Sequence, residues 1–165
     1  FKEKAKTIAL TGTKTVFIDI NEKDHKIDTE KLFKKIDENN NEEKWIPKAI
    51  MTVDIFGMPV DYNAINSIKK IFNLWHISDA AQSYGSEYCK EKTNFYGDIS
   101  TTSFYPGKVF GCYGDGGAIF TDNNCHEKRI KAIRSHGGFR NKYENDIIGM
   151  NSRLDNRQTD RKSVG

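Results

Sequence analysis

The order of segments between residues 47 and 78 restricts the fold more than any other feature. Pro47 opens an apolar, β-branched run, Lys48-Ala49-Ile50-Met51-Thr52-Val53-Asp54, which ends in the turn Phe56-Gly57-Met58-Pro59. Asp61 then stands at an N-cap position, and Ile65, Ile68 and Ile71 recur behind it at helical spacing. Leu74 to Ser78 supplies the next apolar run. Strands alternating with helices point to an α/β layered sheet. Strands buried beneath crossovers also explain short apolar runs that lack strict alternation.

The same pattern extends in both directions. Upstream, Thr15-Val16-Phe17-Ile18-Asp19-Ile20 reads as a strand and Asn21 to Asp24 as a turn. Asp28 caps a helix with the stripe Leu32, Phe33 and Ile36, expected to end near Glu38 before the polar loop Asn39-Asn40-Asn41. Downstream, Gly97-Asp98 precedes a strand over Ile99 to Tyr105, Gly116-Gly117 precedes another over Ala118 to Thr121, and a helix is expected around Cys125 to Arg134. No internal repeat is visible, and no domain boundary is expected before about residue 145.

Composition narrows the function. With 165 residues the chain can build one domain with a real core. Apolar residues make up 36% and charged residues 30%, and no run is long enough to cross a bilayer, so a soluble protein without a membrane partner is expected. Net charge is +3, with acids and bases interspersed, which argues against a nucleic-acid surface. Cys89, Cys112 and Cys125 are odd in number and form no CxxC, so a reducing, cytoplasmic setting is expected. The four histidines have no metal-ligand spacing, and no metal site is expected.

In open α/β sheets ligands bind beyond the carboxyl ends of the strands. Two polar clusters fall at such ends: Asp79 with Gln82 and Ser83, and Ser103-Phe104-Tyr105-Pro106-Gly107-Lys108. A carboxylate and a lysine at neighbouring strand ends can face one crevice. Each also has a plain reading: Asp79 can cap a helix starting at Ala80, Lys108 can be a surface lysine, and Gly114-Asp115-Gly116-Gly117 can be a hairpin turn. The last run is not a dinucleotide fingerprint, because it precedes a strand and lacks the GxGxxG spacing.

Taken in order, Asp79-Ala80-Ala81-Gln82-Ser83, Thr102-Ser103-Phe104-Tyr105-Pro106-Gly107-Lys108, Gly111-Cys112-Tyr113-Gly114-Asp115-Gly116-Gly117-Ala118 and Asn151-Ser152-Arg153-Leu154-Asp155 resemble the DegT/DnrJ/StrS sugar aminotransferases. Thr7 to Lys14 and Val53 to Asp61 resemble that family's segments at the same places, so the likeness spans about residues 1 to 155. It implies a pyridoxal-phosphate (PLP) enzyme of fold type I, whose large domain is a layered α/β/α structure with a mostly parallel mixed sheet.

The resemblance also implies roles. Lys108 matches the lysine that holds PLP as a Schiff base and afterwards shuttles a proton. Asp79 matches the acid paired with the pyridine nitrogen, which keeps the ring an electron acceptor. Gln82 matches the residue beside the ring and its phenolic oxygen, and Ser103 a serine that donates to the phosphate. Asn151 matches an asparagine that reaches the phosphate of a neighbouring subunit, which implies a homodimer. Phe1 falls where an aromatic stacks on the ring, and Arg153 can contact an anionic part of the substrate or pair with Asp155. The implied reaction is ping-pong transfer of an amino group from an amino acid, glutamate being the expected donor, to a keto group of a nucleotide-linked sugar. Such a step belongs to cell-surface polysaccharide or amino-sugar biosynthesis. The Cys-Tyr-Gly-Asp-Gly-Gly run is similar to that of enzymes for 3-keto sugars of the UDP-N-acetylglucosamine uronate series.

Residues 1–155 are thus expected to form part of a large PLP-binding domain that lacks the family's N-terminal segment and C-terminal domain. Residues 156–165 are polar without a helical stripe, and are expected to be a disordered tail outside the family pattern. Two alternatives follow: a catalytically inert fragment of such an enzyme, or a PLP sugar dehydratase, in which a histidine replaces the lysine found here.

Overall fold

A computed structural model describes residues 2–42, 45–139 and 144–154. The chain divides into two compact units, Phe1–Ile46 and Pro47–Gly165.

The first unit contains two helices, α1 (Lys2–Leu10) and α2 (Thr29–Glu42). Helix α1, which is not among the expected elements, closes where Gly12 takes φ +74° and its N–H bonds the Ala9 carbonyl at 3.0 Å. Asp28 caps α2 as expected, its Oδ1 accepting from the N–H groups of Glu30 and Lys31 at 3.0 Å each. Leu32 and Ile36 are buried, while Phe33 stays 39% exposed. Instead of stopping near Glu38, α2 runs through the asparagine run. Asn39 is buried there, and its side-chain amide donates to the Trp45 carbonyl at 2.5 Å, a bond that ties the helix end to the chain beyond it.

The strand expected over Thr15 to Ile20 does not form. Only an isolated bridge joins Ile20 to Ile27, and Phe17 and Ile20 are 61% and 44% exposed. β-Propensity records how well a side chain fits a paired, half-buried surface. This segment has no neighbouring strand in its unit among the described residues.

The second unit is built on a four-stranded sheet in the order β1 (Ala49–Val53), β2 (Trp75–Asp79), β5 (Ile99–Ser103), β6 (Gly117–Phe120). The first three strands are mutually parallel and β6 is antiparallel to β5. This is the mostly parallel mixed α/β sheet anticipated from the sequence. A short hairpin, β3 (Glu87–Tyr88) and β4 (Glu91–Lys92), follows β2. Its two-residue strands carry no period that a sequence reading could detect.

Helix α3 (Tyr62–Phe72) connects β1 to β2 and is capped by Asp61, whose Oδ1 accepts from the Ala64 N–H at 3.0 Å. Tyr62, Ile65 and Ile68 are buried, but Ile71 is 64% exposed. Each three-residue step falls about 60° short of a full helical turn, so the series drifts off the buried face by its fourth member. Tyr62 stacks on Tyr96 with ring centroids 4.5 Å apart and meets His76 at 5.9 Å. Thr52, His76 and Ser78, which alternate onto this face of the sheet, are therefore covered by the α3 layer. Helix α4 (Asn124–Arg134) follows β6, capped by Asn123, and its His126 packs edge-on against Trp75 on the opposite face at 5.0 Å.

Candidate active site

Asp79 is the last residue of β2, and its register partner on β5 is Thr101. Ser103 lies two residues further along β5 and ends that strand. Side chains alternate along a strand, so Asp79, Thr101 and Ser103 share one face of the sheet. Adjacent strands lie about 4.8 Å apart and each residue advances about 3.3 Å, which puts the acid and the serine at neighbouring tips of one edge.

The turn after β2 holds Asp79 and Gln82. Asp79 is 7% exposed and its Oδ1 accepts from the Ala81 N–H at 2.9 Å. The carboxylate thus caps, as its plain reading allowed, but it caps a turn and no helix follows. Gln82 turns its amide oxygen to the Phe56 N–H at 2.8 Å. Phe56 takes φ +56°, a left-handed conformation unusual for a bulky residue, and its ring is 70% exposed. Gly57 beside it has φ +77°, and a Cβ there would stand 3.1 Å from the Gln82 carbonyl oxygen, so glycine permits the close approach of the two turns.

Lys108 is half-buried in the loop between β5 and β6, its N–H bonded to the Tyr105 carbonyl at 2.9 Å. That loop folds on itself. Phe104 donates its N–H to Gly116 and receives the Cys112 N–H on its carbonyl, both at 2.7 Å. A Cβ at Gly111 would come 2.5 Å from the Pro106 carbonyl oxygen. Ser103 Oγ accepts from the Tyr105 N–H at 3.2 Å, which leaves its own proton to donate elsewhere. Tyr84 connects the lysine loop to the aspartate turn: its ring meets Phe104 at 6.3 Å and Phe110 at 5.9 Å, and those two meet each other at 5.6 Å. Asp79 and Ser103 thus end the two central strands, and Gln82 and Lys108 lie in the neighbouring segments that follow them, at one end of the sheet.

The other candidates lie elsewhere. Asn151 forms a bridge with Ser135 at the end of α4, and its Oδ1 accepts from Arg153 Nε at 3.4 Å. Both residues are exposed. Phe1, Asp155 and the tail 156–165 lie outside the described residues.

One residue of this edge carried no role in the sequence reading. Asp54 follows β1 and is fully buried on the α3 side of the sheet. Its Oδ1 accepts from the Val60 N–H at 3.0 Å, and its Oδ2 accepts from the Tyr62 hydroxyl at 2.7 Å and the Ser83 hydroxyl at 2.6 Å. Burial pushes the Asp54 carboxyl above its ordinary range, against the lowering effect of these three donors. The same burial raises the Tyr62 phenol. Nearby, His76 is held at about 4 by burial, its Nε2 paired with the Thr52 hydroxyl at 2.9 Å. The available signal was a carboxylate placed directly after an apolar strand, the same signal that singled out Asp79.

Residues 1–160 match the DegT/DnrJ/EryC1/StrS aminotransferase family. The chain is 38% identical over 154 residues to the UDP-2-acetamido-2-deoxy-3-oxo-D-glucuronate aminotransferase of Pseudomonas aeruginosa, covering 93% of this chain and 41% of that protein. It superposes on a DegT/DnrJ/EryC1/StrS aminotransferase from Brucella abortus with a TM-score of 0.93 at 36% identity, over 99% of this chain and 45% of the other. S. venezuelae DesV, solved in complex with a ketimine intermediate, gives a TM-score of 0.88 at 29% identity, over 99% and 42%. The chain spans about two fifths of the length of the curated relatives it matches. Four motifs in order, an acid and a lysine loop at one edge of a mixed sheet, and a match along nearly all its residues give one conclusion: the chain belongs to the DegT/DnrJ/EryC1/StrS aminotransferase family.

Proposed function

We propose that this chain is the cofactor-binding part of a PLP-dependent aminotransferase that transfers an amino group from an amino acid to a keto group of a nucleotide-linked sugar. The reading rests on one observation: Asp79 and Ser103 share a face at the tips of adjacent parallel strands, and the Lys108 loop is clasped to the Asp79 turn through Tyr84. The donor set fits the cofactor. A buried carboxylate suits the pyridine nitrogen, a hydroxyl with a free proton suits the phosphate, an amide suits the phenolic oxygen, and a half-buried amine suits the aldehyde carbon.

When bound, PLP supplies a carbon that exchanges amines and a ring that takes up an electron pair. Asp79, buried and oriented by the Ala81 N–H, would keep a proton on the ring nitrogen. Ser103 would hold the phosphate by donation from its hydroxyl. Lys108 would hold the cofactor covalently and, once freed, carry a proton to and from the substrate carbon. Gln82, fixed by the Phe56 N–H, would limit tilt of the ring. Asn151 and Arg153, exposed beyond α4, suit contacts to a second copy's phosphate and to an anionic substrate, in a homodimer. Glutamate is the proposed donor. A 3-keto sugar of the UDP-N-acetylglucosamine uronate series is the proposed acceptor, as the name of the P. aeruginosa relative suggests. Three free cysteines suit a cytoplasmic setting.

Mixed with PLP, the purified chain is expected to develop a visible band at roughly 410–430 nm that borohydride makes permanent on Lys108, and Lys108→Ala should abolish it. A folded chain that binds no PLP overturns the reading in favour of an inert fragment. A band that glutamate does not bleach leaves cofactor binding without transamination.

A further inference from the structure

The buried polar cluster on the α3 side of the sheet lies outside the residues assigned to the cofactor. Asp54 follows β1 and Asp79 ends β2; Val53 pairs with Asp79, so alternation turns the two acids' side chains to opposite faces. The Asp54 N–H bonds the Asp79 carbonyl at 3.1 Å, so the two acids stand back to back across one strand pair. The chain leaving Asp79 bends across the edge, and at Ser83 it reaches the Asp54 side. There the Ser83 hydroxyl meets Asp54 Oδ2 at 2.6 Å, and the Ser83 carbonyl accepts from the Thr93 hydroxyl at 3.0 Å. Asp79 and Gln82, the proposed cofactor contacts, lie on the stretch that ends at this anchor.

We propose that Asp54 is a positioning residue: through Ser83 it tethers the turn 79–83 from behind and thereby fixes where Asp79 and Gln82 present their polar groups. The proposal rests on the reading of these two residues as cofactor contacts. Ser83 is 1% exposed and Asp54 is fully buried, so no water competes for the tether. Asp54 Oδ2 also accepts from Tyr62 at 2.7 Å, a bond of nearly equal length that anchors the carboxylate to α3 without touching the turn. Tyr62 in turn accepts from Ser78 Oγ at 2.9 Å. Asp54 Oδ2 therefore accepts one bond from the turn and one from α3.

This pair supplies the test. Ser83→Ala, Tyr62→Phe and Asp54→Asn are made in the full chain. PLP affinity is measured by titration, and amide exchange of Ala81 and Ser83 is followed without PLP. Ser83→Ala is expected to weaken PLP binding about tenfold and to speed exchange of both amides by a similar factor, the worth of one hydrogen bond to a charged group. Tyr62→Phe is expected to leave affinity within about twofold, although it removes a bond to the same oxygen. In Asp54→Asn the new amide can donate to Ser83 Oγ, so the tether survives with reversed polarity and affinity stays within about threefold. Equal losses of affinity in Ser83→Ala and Tyr62→Phe would mean a merely structural cluster and overturn the proposal, as would unchanged exchange in Ser83→Ala. Failure of the unaltered chain to bind PLP would overturn the cofactor reading alone, because the exchange measurement still decides the tether.

Discussion

The two loops that share the candidate site are held in different ways. The turn after β2 is held by hydrogen bonds: Asp79 to Ala81, Gln82 to Phe56, Ser83 to Asp54, and Ser86 Oγ to the Gly57 carbonyl at 3.2 Å. The loop between β5 and β6 is held by rings and glycines, with Phe104 and Phe110 against Tyr84 and Gly111 folded onto Pro106. Hydrogen bonds are directional and fix a polar group to within a narrow range of angles, whereas ring packing tolerates sliding. Asp79, the proposed partner of the ring nitrogen, is thus on the side fixed by directional bonds. Lys108, the proposed cofactor lysine, is on the side held by ring packing, where Val109 and Phe110 are 75% and 63% exposed.

The largest expected effect is on the rigid side. Tyr62→Ala removes a fully buried, stacked ring and one of Asp54's donors, and should cost about 3–5 kcal/mol in denaturant unfolding, while Phe110→Ala should cost under about 1 kcal/mol. Equal costs would erase the contrast between the loops.

Next is the acid response of the layer beneath the rigid turn. His76 is depressed to about 4 in the folded chain against 6.5 for the free side chain, so the unfolded chain binds more protons between these values. Stability is full above about pH 6.5 and is lost as pH falls toward 4. Thermal melts of His76→Gln should lose that dependence. Asp54 works in the opposite sense: its raised folded value means that stability declines as pH rises from the ordinary carboxylate range through that value. Asp54→Asn should flatten the decline in the same melts.

Smaller again, Gly57→Ala forces an L-residue to φ +77° against the Gln82 carbonyl and should cost about 1–2 kcal/mol, with weakened PLP binding as a second readout. Smallest, Tyr84→Leu keeps apolar bulk but removes the ring contacts, and should cost about 1 kcal/mol while leaving exchange of the Ala81 amide unchanged. Faster exchange there would mean that the two loops are held as one unit.

The sheet was legible because each of its strands is a β-branched or apolar run bounded by glycine, proline or a cap: Ala49–Val53, Trp75–Asp79, Ile99–Ser103 and Gly117–Phe120 all lie within a few residues of their expected places. The caps Asp28 and Asp61 were legible for the same local reason. Thr15 to Ile20 has the same local signal, but strand formation depends on a partner that sequence order does not reveal. The polar residues at the strand ends could be named as candidates from position alone. Their support could not: Tyr84 joins residues 104 and 110, and Asp54 joins residue 83, by contacts between segments whose proximity only the fold creates.

Because β6 returns antiparallel beside β5, the Lys108 loop departs from Ser103 and re-enters at Gly117, two residues paired with each other in the sheet. Such a loop is closed at its base like the neck of a noose. Its circumference can grow or shrink without displacing either end, and each doubling adds only about 0.6 kcal/mol of closure entropy. Descendants of this architecture can therefore lengthen the surroundings of Lys108 while Ser103 and Asp79 stay where the sheet puts them.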